Sequence, residues 1–145
     1  MTVLFSKKCE LALQAVLFLS AQPEGELFAA GEIAERLRVP KDFVSKVLQT
    51  LTSGGIVGSR KGKSGGFYLG KAPEEVRLID IVSAIDGLEM FHNCVLGFPG
   101  CSTEKPCPVH EKWGSLRSEA FEMLGDETLA ELRDRTLEKI ASIRK

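Results

Sequence analysis

The order of short helical and extended segments in the first half of the chain most constrains its fold. Apolar residues recur at helical spacing in three segments, and two short strands flank a turn rich in glycine and lysine. We predict helices over 6–21, 29–37 and 41–52, and strands over 56–60 and 67–69. Two short helices joined by a tight turn and followed by a β-hairpin are typical of a winged helix-turn-helix.

The second half of the chain predicts further helices around one aperiodic segment. We expect helices over 78–86, from Pro108 to about 124, and from a cap at Asp126 to the C-terminus. Residues 88–107 have no periodicity and are rich in glycine, proline and cysteine. The predicted fold is therefore mainly α-helical, with a two-stranded β wing and long C-terminal dimerisation helices. We expect a DNA-binding domain over 1–87, a cysteine-rich loop over 88–107 and dimerisation helices over 108–145.

Composition favours a folded protein without a membrane span. Apolar residues make up 43% of the chain and charged residues 27%, which is sufficient for an ordinary core and argues against global disorder. No segment approaches the ~18 apolar residues that a membrane span needs. The first residues also lack the pattern of a signal peptide. We expect a cytoplasmic protein with no membrane partner.

Charge is distributed unevenly, although the net charge is only −1. Residues 40–71 carry six basic side chains against one acidic side chain, whereas residues 72–145 carry nine basic against fourteen acidic. A basic segment in an otherwise acidic chain indicates a site for a polyanion such as DNA. Chance clustering on a solvated surface is the alternative interpretation.

The predicted helix 41–52 and the wing supply candidate contacts to double-stranded DNA. A helix of this size fits the major groove, where a glutamine can pair with adenine and a lysine with guanine or phosphate. Glycines at the wing tip can let the backbone approach a phosphate closely. Winged helices also serve as protein-binding modules, so this assignment remains a hypothesis. The candidate DNA-binding residues are Lys41, Ser45, Lys46, Gln49, Arg60, Lys61, Lys63 and Ser64.

Three of the four cysteines lie close together in the aperiodic segment. Six residues separate Cys94 from Cys101, and five separate Cys101 from Cys107. Three thiolates on a flexible segment can surround one metal centre, and iron–sulfur clusters favour such ligands. Zinc is a weaker candidate because the usual pairs of cysteines two residues apart are absent. Adventitious thiols or a regulatory disulfide are the other interpretations.

Four segments together resemble the bacterial Rrf2 family of winged-helix regulators, and the resemblance covers nearly the whole chain. They are SKKCELAL over 6–13, KGKSGGFYL over 61–69, LIDIVSAIDG over 78–87, and the cysteine loop that ends in PCPVHEKW over 106–113. The resemblance implies a homodimer that binds operator DNA. Where the three cysteines are present, it also implies a [2Fe-2S] or [4Fe-4S] cluster.

The resemblance leaves the fourth ligand and the cluster type open. His110 matches the position of the histidine ligand in IscR-like members, and Glu10 matches an acidic ligand that NsrR-like members donate from the partner subunit. Each could instead be an ordinary surface residue near a helix N-terminus. The first cysteine spacing is one residue longer than is usual in these members, so the spacing does not select a cluster type.

These observations predict a DNA-binding transcription regulator, and specifically a repressor, that senses redox, nitric oxide or iron–sulfur status through a bound cluster. One alternative is a repressor of the same fold without a cluster, which senses a small molecule or thiol oxidation. A cysteine-based redox enzyme is more remote, because no nucleophile and base are recognisable as a pair.

The predicted helix 108–124 also carries an apolar face that something must cover. Its members follow helical spacing and are Val109, Trp113, Leu116, Ala120, Phe121 and Leu124. A two-fold dimer would cover this face and would present two winged helices to a pseudo-palindromic site. The alternative is that the rest of the same chain covers it.

Substitutions on the predicted DNA surface should separate base reading from phosphate contact. Gln49→Ala should cost about 1–3 kcal/mol at a specific operator and relax sequence preference there. Lys61→Ala and Lys63→Ala should each weaken binding to every sequence and reduce the salt slope by about one unit. Fluorescence anisotropy over a salt series measures both effects. Unchanged binding by the Lys46/Lys61/Lys63 triple alanine variant would exclude this surface.

Overall fold

The computed structural model describes residues 4–143 and confirms a mainly α-helical fold with a two-stranded wing. The elements are α1 (Lys7–Ser20), α2 (Ala30–Leu37), α3 (Lys41–Ser53), β1 (Val57–Arg60), β2 (Gly66–Leu69), α4 (Leu78–Ile85), α5 (His110–Asp126) and α6 (Leu129–Ile143). Short 3₁₀ turns span Pro73–Glu75 and Glu89–Phe91. No helix within residues 4–143 is both long enough and apolar enough to cross a membrane.

Helix α1 forms the centre of the main core. It packs against α2, α3, α4, α6 and β2, so most of its circumference is covered. Ala12, Ala15, Val16 and Phe18 are fully buried, because small residues let the neighbouring helices approach and Phe18 fills the space between them. The remaining helices of the fold are thus positioned by their contacts with α1.

The helix-turn-helix is formed by α2 and α3. Arg38 ends α2 in the left-handed conformation, with φ of 57°, and the Val39 N–H then donates to the Ala34 carbonyl at 3.0 Å. Pro40 precedes α3 and cannot continue α2. The apolar spacing predicts a buried face for α3 of Phe43, Val44, Val47, Leu48 and Leu51, and all of these are buried except Phe43, which is half-buried. The opposite face of α3 is left for solvent or a partner.

A backbone bridge that the sequence did not predict fastens the wing to the helical core. Strands β1 and β2 are antiparallel, with Gly58 opposite Tyr68 and Arg60 opposite Gly66. Phe28, just before α2, exchanges two backbone hydrogen bonds with Phe67, of 3.0 and 2.7 Å. This bridge fixes the wing relative to the start of the helix-turn-helix.

Two predicted helix starts were wrong. The predicted helix beginning at Pro108 starts instead at His110, because Pro108 and Val109 form a turn in which the His110 N–H donates to the Cys107 carbonyl. Asp126 is the last residue of α5 and does not cap α6. Thr128 does so: its hydroxyl accepts from the Glu131 N–H, and the Glu131 carboxylate accepts from the Thr128 N–H.

A second, smaller core joins the N-terminal end of α1 to α4, α5 and the turn Glu89–Phe91. Its buried members are Cys9, Val82, Phe91 and Leu124. Asp86, at the end of α4, accepts hydrogen bonds from the backbone N–H and the hydroxyl of Ser6, the residue that caps α1. These contacts connect the segment that precedes the cysteine loop with the first helix.

The close approach of the wing to Phe28 predicts that Gly66 cannot be replaced without loss of stability. A Cβ at Gly66 would lie 2.9 Å from the carbonyl carbon and oxygen of Phe28. Gly66→Ala should therefore lower the free energy of unfolding by about 1–3 kcal/mol, because the bridge must shift. Gly125→Ala is the matched control, since a Cβ there meets nothing within 4 Å. It should be neutral or stabilising, because alanine favours a helix over glycine. Equal urea midpoints for the two variants would contradict this account.

Candidate functional site

The predicted DNA-binding residues lie on α3 and the wing, and all but one are exposed. Ser45 is half-buried. The exposed residues are Lys41, Lys46, Gln49, Arg60, Lys61, Lys63 and Ser64. Within this set every ionisable side chain is basic, which suits a phosphate backbone. Their roles in DNA binding remain a prediction.

The structure of the wing itself requires several of its glycines, whether or not they approach a phosphate. A Cβ at Gly65 would lie 2.0 Å from the carbonyl oxygen of Arg60, and one at Gly58 would lie 2.4 Å from the Tyr68 ring. Gly62 adopts a φ of 107°, which other residues rarely adopt. A side chain has no room at Gly65 or Gly58, and the backbone conformation at Gly62 disfavours one. The glycine pattern alone is therefore no evidence for phosphate contact.

The three cysteines of the loop are brought together in space. The sulfur atoms of Cys94, Cys101 and Cys107 all lie within 4.8 Å of one another, and those of Cys94 and Cys107 are 3.4 Å apart. All three are free thiols and half-buried. Three soft donors at this separation can hold a metal centre without large movement of the backbone.

The two candidates for a fourth ligand lie in different places. His110 is the first residue of α5, and its Nδ1 atom is 3.3 Å from the Cys101 sulfur. Glu10 lies in the first turn of α1, where its carboxylate is 3.8 Å from the Lys7 ammonium. His110 therefore adjoins the triad within one chain. A contribution of Glu10 from a second copy stays a prediction.

The environment of Cys94 favours its thiolate. Partial burial raises the pKa of this thiol, but backbone N–H groups of Phe98 and Leu96 and the thiols of Cys107 and Cys101 lower it to about 7. The pKa of Cys107 is raised, because burial outweighs the lowering effect of the Val109 N–H and the thiols of Cys94 and Cys101 raise the pKa further. Near neutral pH one member of the triad is thus readily available in the form that binds metal.

Cys9 differs from the triad in its burial and its surroundings. It is fully buried in the second core, and burial together with the nearby Asp86 raises its pKa to about 12. A thiol that resists deprotonation in an apolar site is a poor metal ligand. This agrees with the interpretation of Cys9 as a small apolar side chain.

Contacts of the residues just before Cys94 hold the start of the cysteine loop against α5. The Trp113 indole N–H donates to the Asn93 carbonyl at 2.9 Å. Phe91 is buried in the second core and packs edge-to-face on Phe121, with ring centroids 5.3 Å apart. Sequence reasoning missed Phe91 and Asn93 because single residues in an aperiodic segment give no spacing signal. Trp113 belongs to the segment 106–113 that carries the family resemblance, so it could have indicated that α5 contacts the loop.

The apolar face predicted for α5 is divided between the same chain and solvent. Leu124 is buried and Ala120 is half-buried in the second core. In contrast, Leu116 is 60% exposed, Met123 61% and Phe121 44%. Apolar side chains in the loop are also exposed, namely Val95, Leu96 and Phe98. Exposed apolar residues in such number are typical of an interaction surface.

The fold and the basic wing define a class of protein. A helix-turn-helix bridged to a two-stranded wing is a winged-helix fold, which is common among DNA-binding proteins. The chain belongs to the Rrf2 family, described as iron-dependent transcriptional regulators, whose profile matches residues 5–135. It is thus a transcriptional regulator of that family and not an enzyme.

Two relatives agree with this assignment. A regulator from Aquifex aeolicus is 32% identical over 132 residues, which cover 90% of this chain and 91% of the relative. One from Haemophilus influenzae is 31% identical over 129 residues, which cover 88% and 84% respectively. Both are described as HTH-type transcriptional regulators. The prediction of transcription regulation and DNA binding is confirmed at this level.

Solved structures confirm the predicted fold. CymR, the global cysteine regulator of B. subtilis, superimposes with a TM-score of 0.75 at 22% identity and covers 92% of this chain and 98% of its own. IscR of T. potens superimposes with a TM-score of 0.69, also at 22% identity, and covers 93% and 88%. At this identity the likeness concerns the fold alone.

Proposed function

We propose that this regulator is a homodimeric repressor that holds an iron–sulfur cluster and changes its affinity for operator DNA with the state of that cluster. The observation that carries the proposal is the gathering of three free thiols within 4.8 Å in an otherwise irregular loop. The family description as iron-dependent regulators supports iron over other metals.

The donor set fits an iron–sulfur cluster. Such clusters are held mainly by cysteine thiolates, and histidine replaces cysteine in some [2Fe-2S] centres. With His110 as the fourth ligand, the donors would lie in two close pairs, Cys94 with Cys107 and Cys101 with His110. Each iron of a [2Fe-2S] cluster takes two such ligands. A single zinc ion is the rival, since two thiolates on tetrahedral zinc lie about 3.8 Å apart by geometry.

Packing provides a route from the loop to the DNA-binding helix. When bound, the cluster would supply a centre that reacts with oxidants or nitric oxide. Cys94 lies three residues after Phe91, which is buried against Cys9 of α1. Helix α1 in turn packs on α3. We infer that a change in the conformation of the loop moves Phe91 and thereby α1 and α3. A sensor requires such a difference between two states with unequal affinity for DNA.

On the proposed DNA-binding surface, the side chains of α3 and those of the wing would contact different parts of the DNA. Lys46 and Gln49 on α3 would reach base edges or phosphates in the major groove. Arg60, Lys61 and Lys63 would contact phosphates or enter a minor groove beside the wing. Lys41, Ser45 and Ser64 would add contacts to the backbone.

A cluster-free regulator that senses thiol oxidation is the second candidate. The 3.4 Å between the Cys94 and Cys107 sulfurs is compatible with a disulfide after a small movement. A structural neighbour, CymR of Staphylococcus aureus, has been solved in an oxidised form. Iron and sulfide content separates the two candidates.

Single cysteine variants should test the cluster directly. Cys94→Ala, Cys101→Ala and Cys107→Ala should each abolish or badly destabilise the cluster, because each removes one of the few bonds that hold it. Cys9→Ala is the control and should retain the cluster. Iron, sulfide and the visible spectrum are measured after anaerobic reconstitution. Stoichiometric zinc without sulfide in the wild type, or equal occupancy in all four variants, would exclude the cluster.

Replacement of the true fourth ligand should have a milder effect. His110→Ala or Glu10→Ala should alter the spectrum and raise oxygen sensitivity without loss of iron, because imidazole and carboxylate bind this centre more weakly than thiolate.

The exposed apolar stripe on α5 should mediate the proposed dimer. Leu116 and Met123 lie two turns apart on one face of α5. Sedimentation velocity should show a dimer at micromolar concentration, and the double variant Leu116→Glu, Met123→Glu should shift it to monomer. Leu137→Glu, on the exposed face of α6, is the control and should stay dimeric. A wild-type monomer with intact helicity would refute the dimer.

A further inference from the structure

A cavity of about 380 Å³ lies between α1, α2, α4 and α6. None of its lining residues belongs to α5 or to the cysteine loop. Its volume lies in the lower part of the range for small-molecule sites, about 300–1,000 Å³. It is separate from every surface that the proposed function uses.

The wall of the cavity is mainly aliphatic. Its aliphatic residues come from all four helices. These residues are Leu17, Leu37, Leu78, Leu132, Ile140 and Ile143. An apolar wall of this kind favours a ligand with a hydrocarbon or aromatic body.

The polar part of the lining is basic and contains no carboxylate. Its members are Gln14, Arg135, Thr136 and Lys139. Arg135 already pairs with the Glu127 carboxylate, and the Thr136 hydroxyl donates to the Leu132 carbonyl. Within residues 4–143, Lys139 has no carboxylate partner and is exposed. The Lys139 ammonium is thus the group at this cavity available to an anion.

We propose that this cavity binds a small amphiphilic carboxylate, such as a medium-chain fatty acid. The aliphatic wall takes the hydrocarbon chain, and Lys139 pairs with the carboxylate at the mouth. A site of this composition is an effector site distinct from the cysteine triad, and it does not rest on the proposed cluster.

The position of the cavity links a bound ligand to the DNA-binding motif. Leu37 is the last residue of α2 and immediately precedes the turn that leads into α3. Ile140 and Ile143 belong to α6, so a ligand that fills the cavity bridges α2 and α6. Occupancy therefore favours one arrangement of the two helices, and with it one orientation of the helix-turn-helix.

Calorimetric titration of the full-length protein with octanoate and octanol tests the proposal. Both are linear molecules of eight carbon atoms, and only octanoate carries a charge. Octanoate, kept below the concentration at which it self-associates, should bind saturably at one site per chain and more tightly than octanol. Hexanoate should bind more weakly, by up to about fourfold per methylene removed. The triple variant Cys94→Ala, Cys101→Ala, Cys107→Ala should bind octanoate with the affinity of the wild type.

Two variants assign the binding to this cavity. Lys139→Met should reduce octanoate affinity to that of octanol and leave octanol unaffected, and Lys112→Met on α5 is the matched control. Ile143→Phe should fill the space and abolish binding of both ligands, with circular dichroism to verify the fold. Three results would overturn the proposal: no saturable octanoate binding, equal affinities for octanoate and octanol in the wild type, or octanoate affinity unaffected by Lys139→Met.

Discussion

Burial of α1 is the constraint on which the rest of the structure depends. Its small residues Ala12 and Ala15 let neighbouring helices pack closely, and Phe18 contacts the ring of Phe28 edge-to-face, with centroids 5.1 Å apart. Phe28 also carries the backbone bridge to the wing. Helix α1 thus positions α3 directly and the wing through Phe28. A residue that enlarged or shifted α1 would change the position of α3 relative to the wing.

Helix α1 also lies between the cysteine loop and α3 in the proposed sensing route. Its C-terminal part lies in the main core with α3, while Cys9 near its start lies in the second core beside Phe91. The start of the cysteine loop is tied to this second core by Phe91 and to α5 by the Trp113–Asn93 hydrogen bond. A conformational change in the loop would therefore act on α1, which packs on α3, or on α5, which packs on α4.

The sequence predicted local features of the fold but not the contacts between residues far apart in the chain. The buried face of α3 and the two strands follow from spacing alone, because periodicity directly reflects which side is buried. The Phe28–Phe67 bridge joins residues far apart in the chain, and no local pattern marks it. The residue that caps α6 was predictable, because Thr128 and Glu131 have the spacing of a capping box. The prediction of Asp126 as the cap overlooked this spacing. The cysteine spacing predicted a cluster of thiols but not the pairing of Cys101 with His110, which depends on where α5 begins.

Native mass spectrometry of protein isolated anaerobically from cells tests the central claim most directly, because it weighs the bound centre without reconstitution. The account predicts a dimer whose mass exceeds that of the two chains by one iron–sulfur cluster per subunit, with the excess absent in Cys107→Ala protein. A mass excess that corresponds to zinc alone, or no excess in freshly isolated wild-type protein, would contradict it.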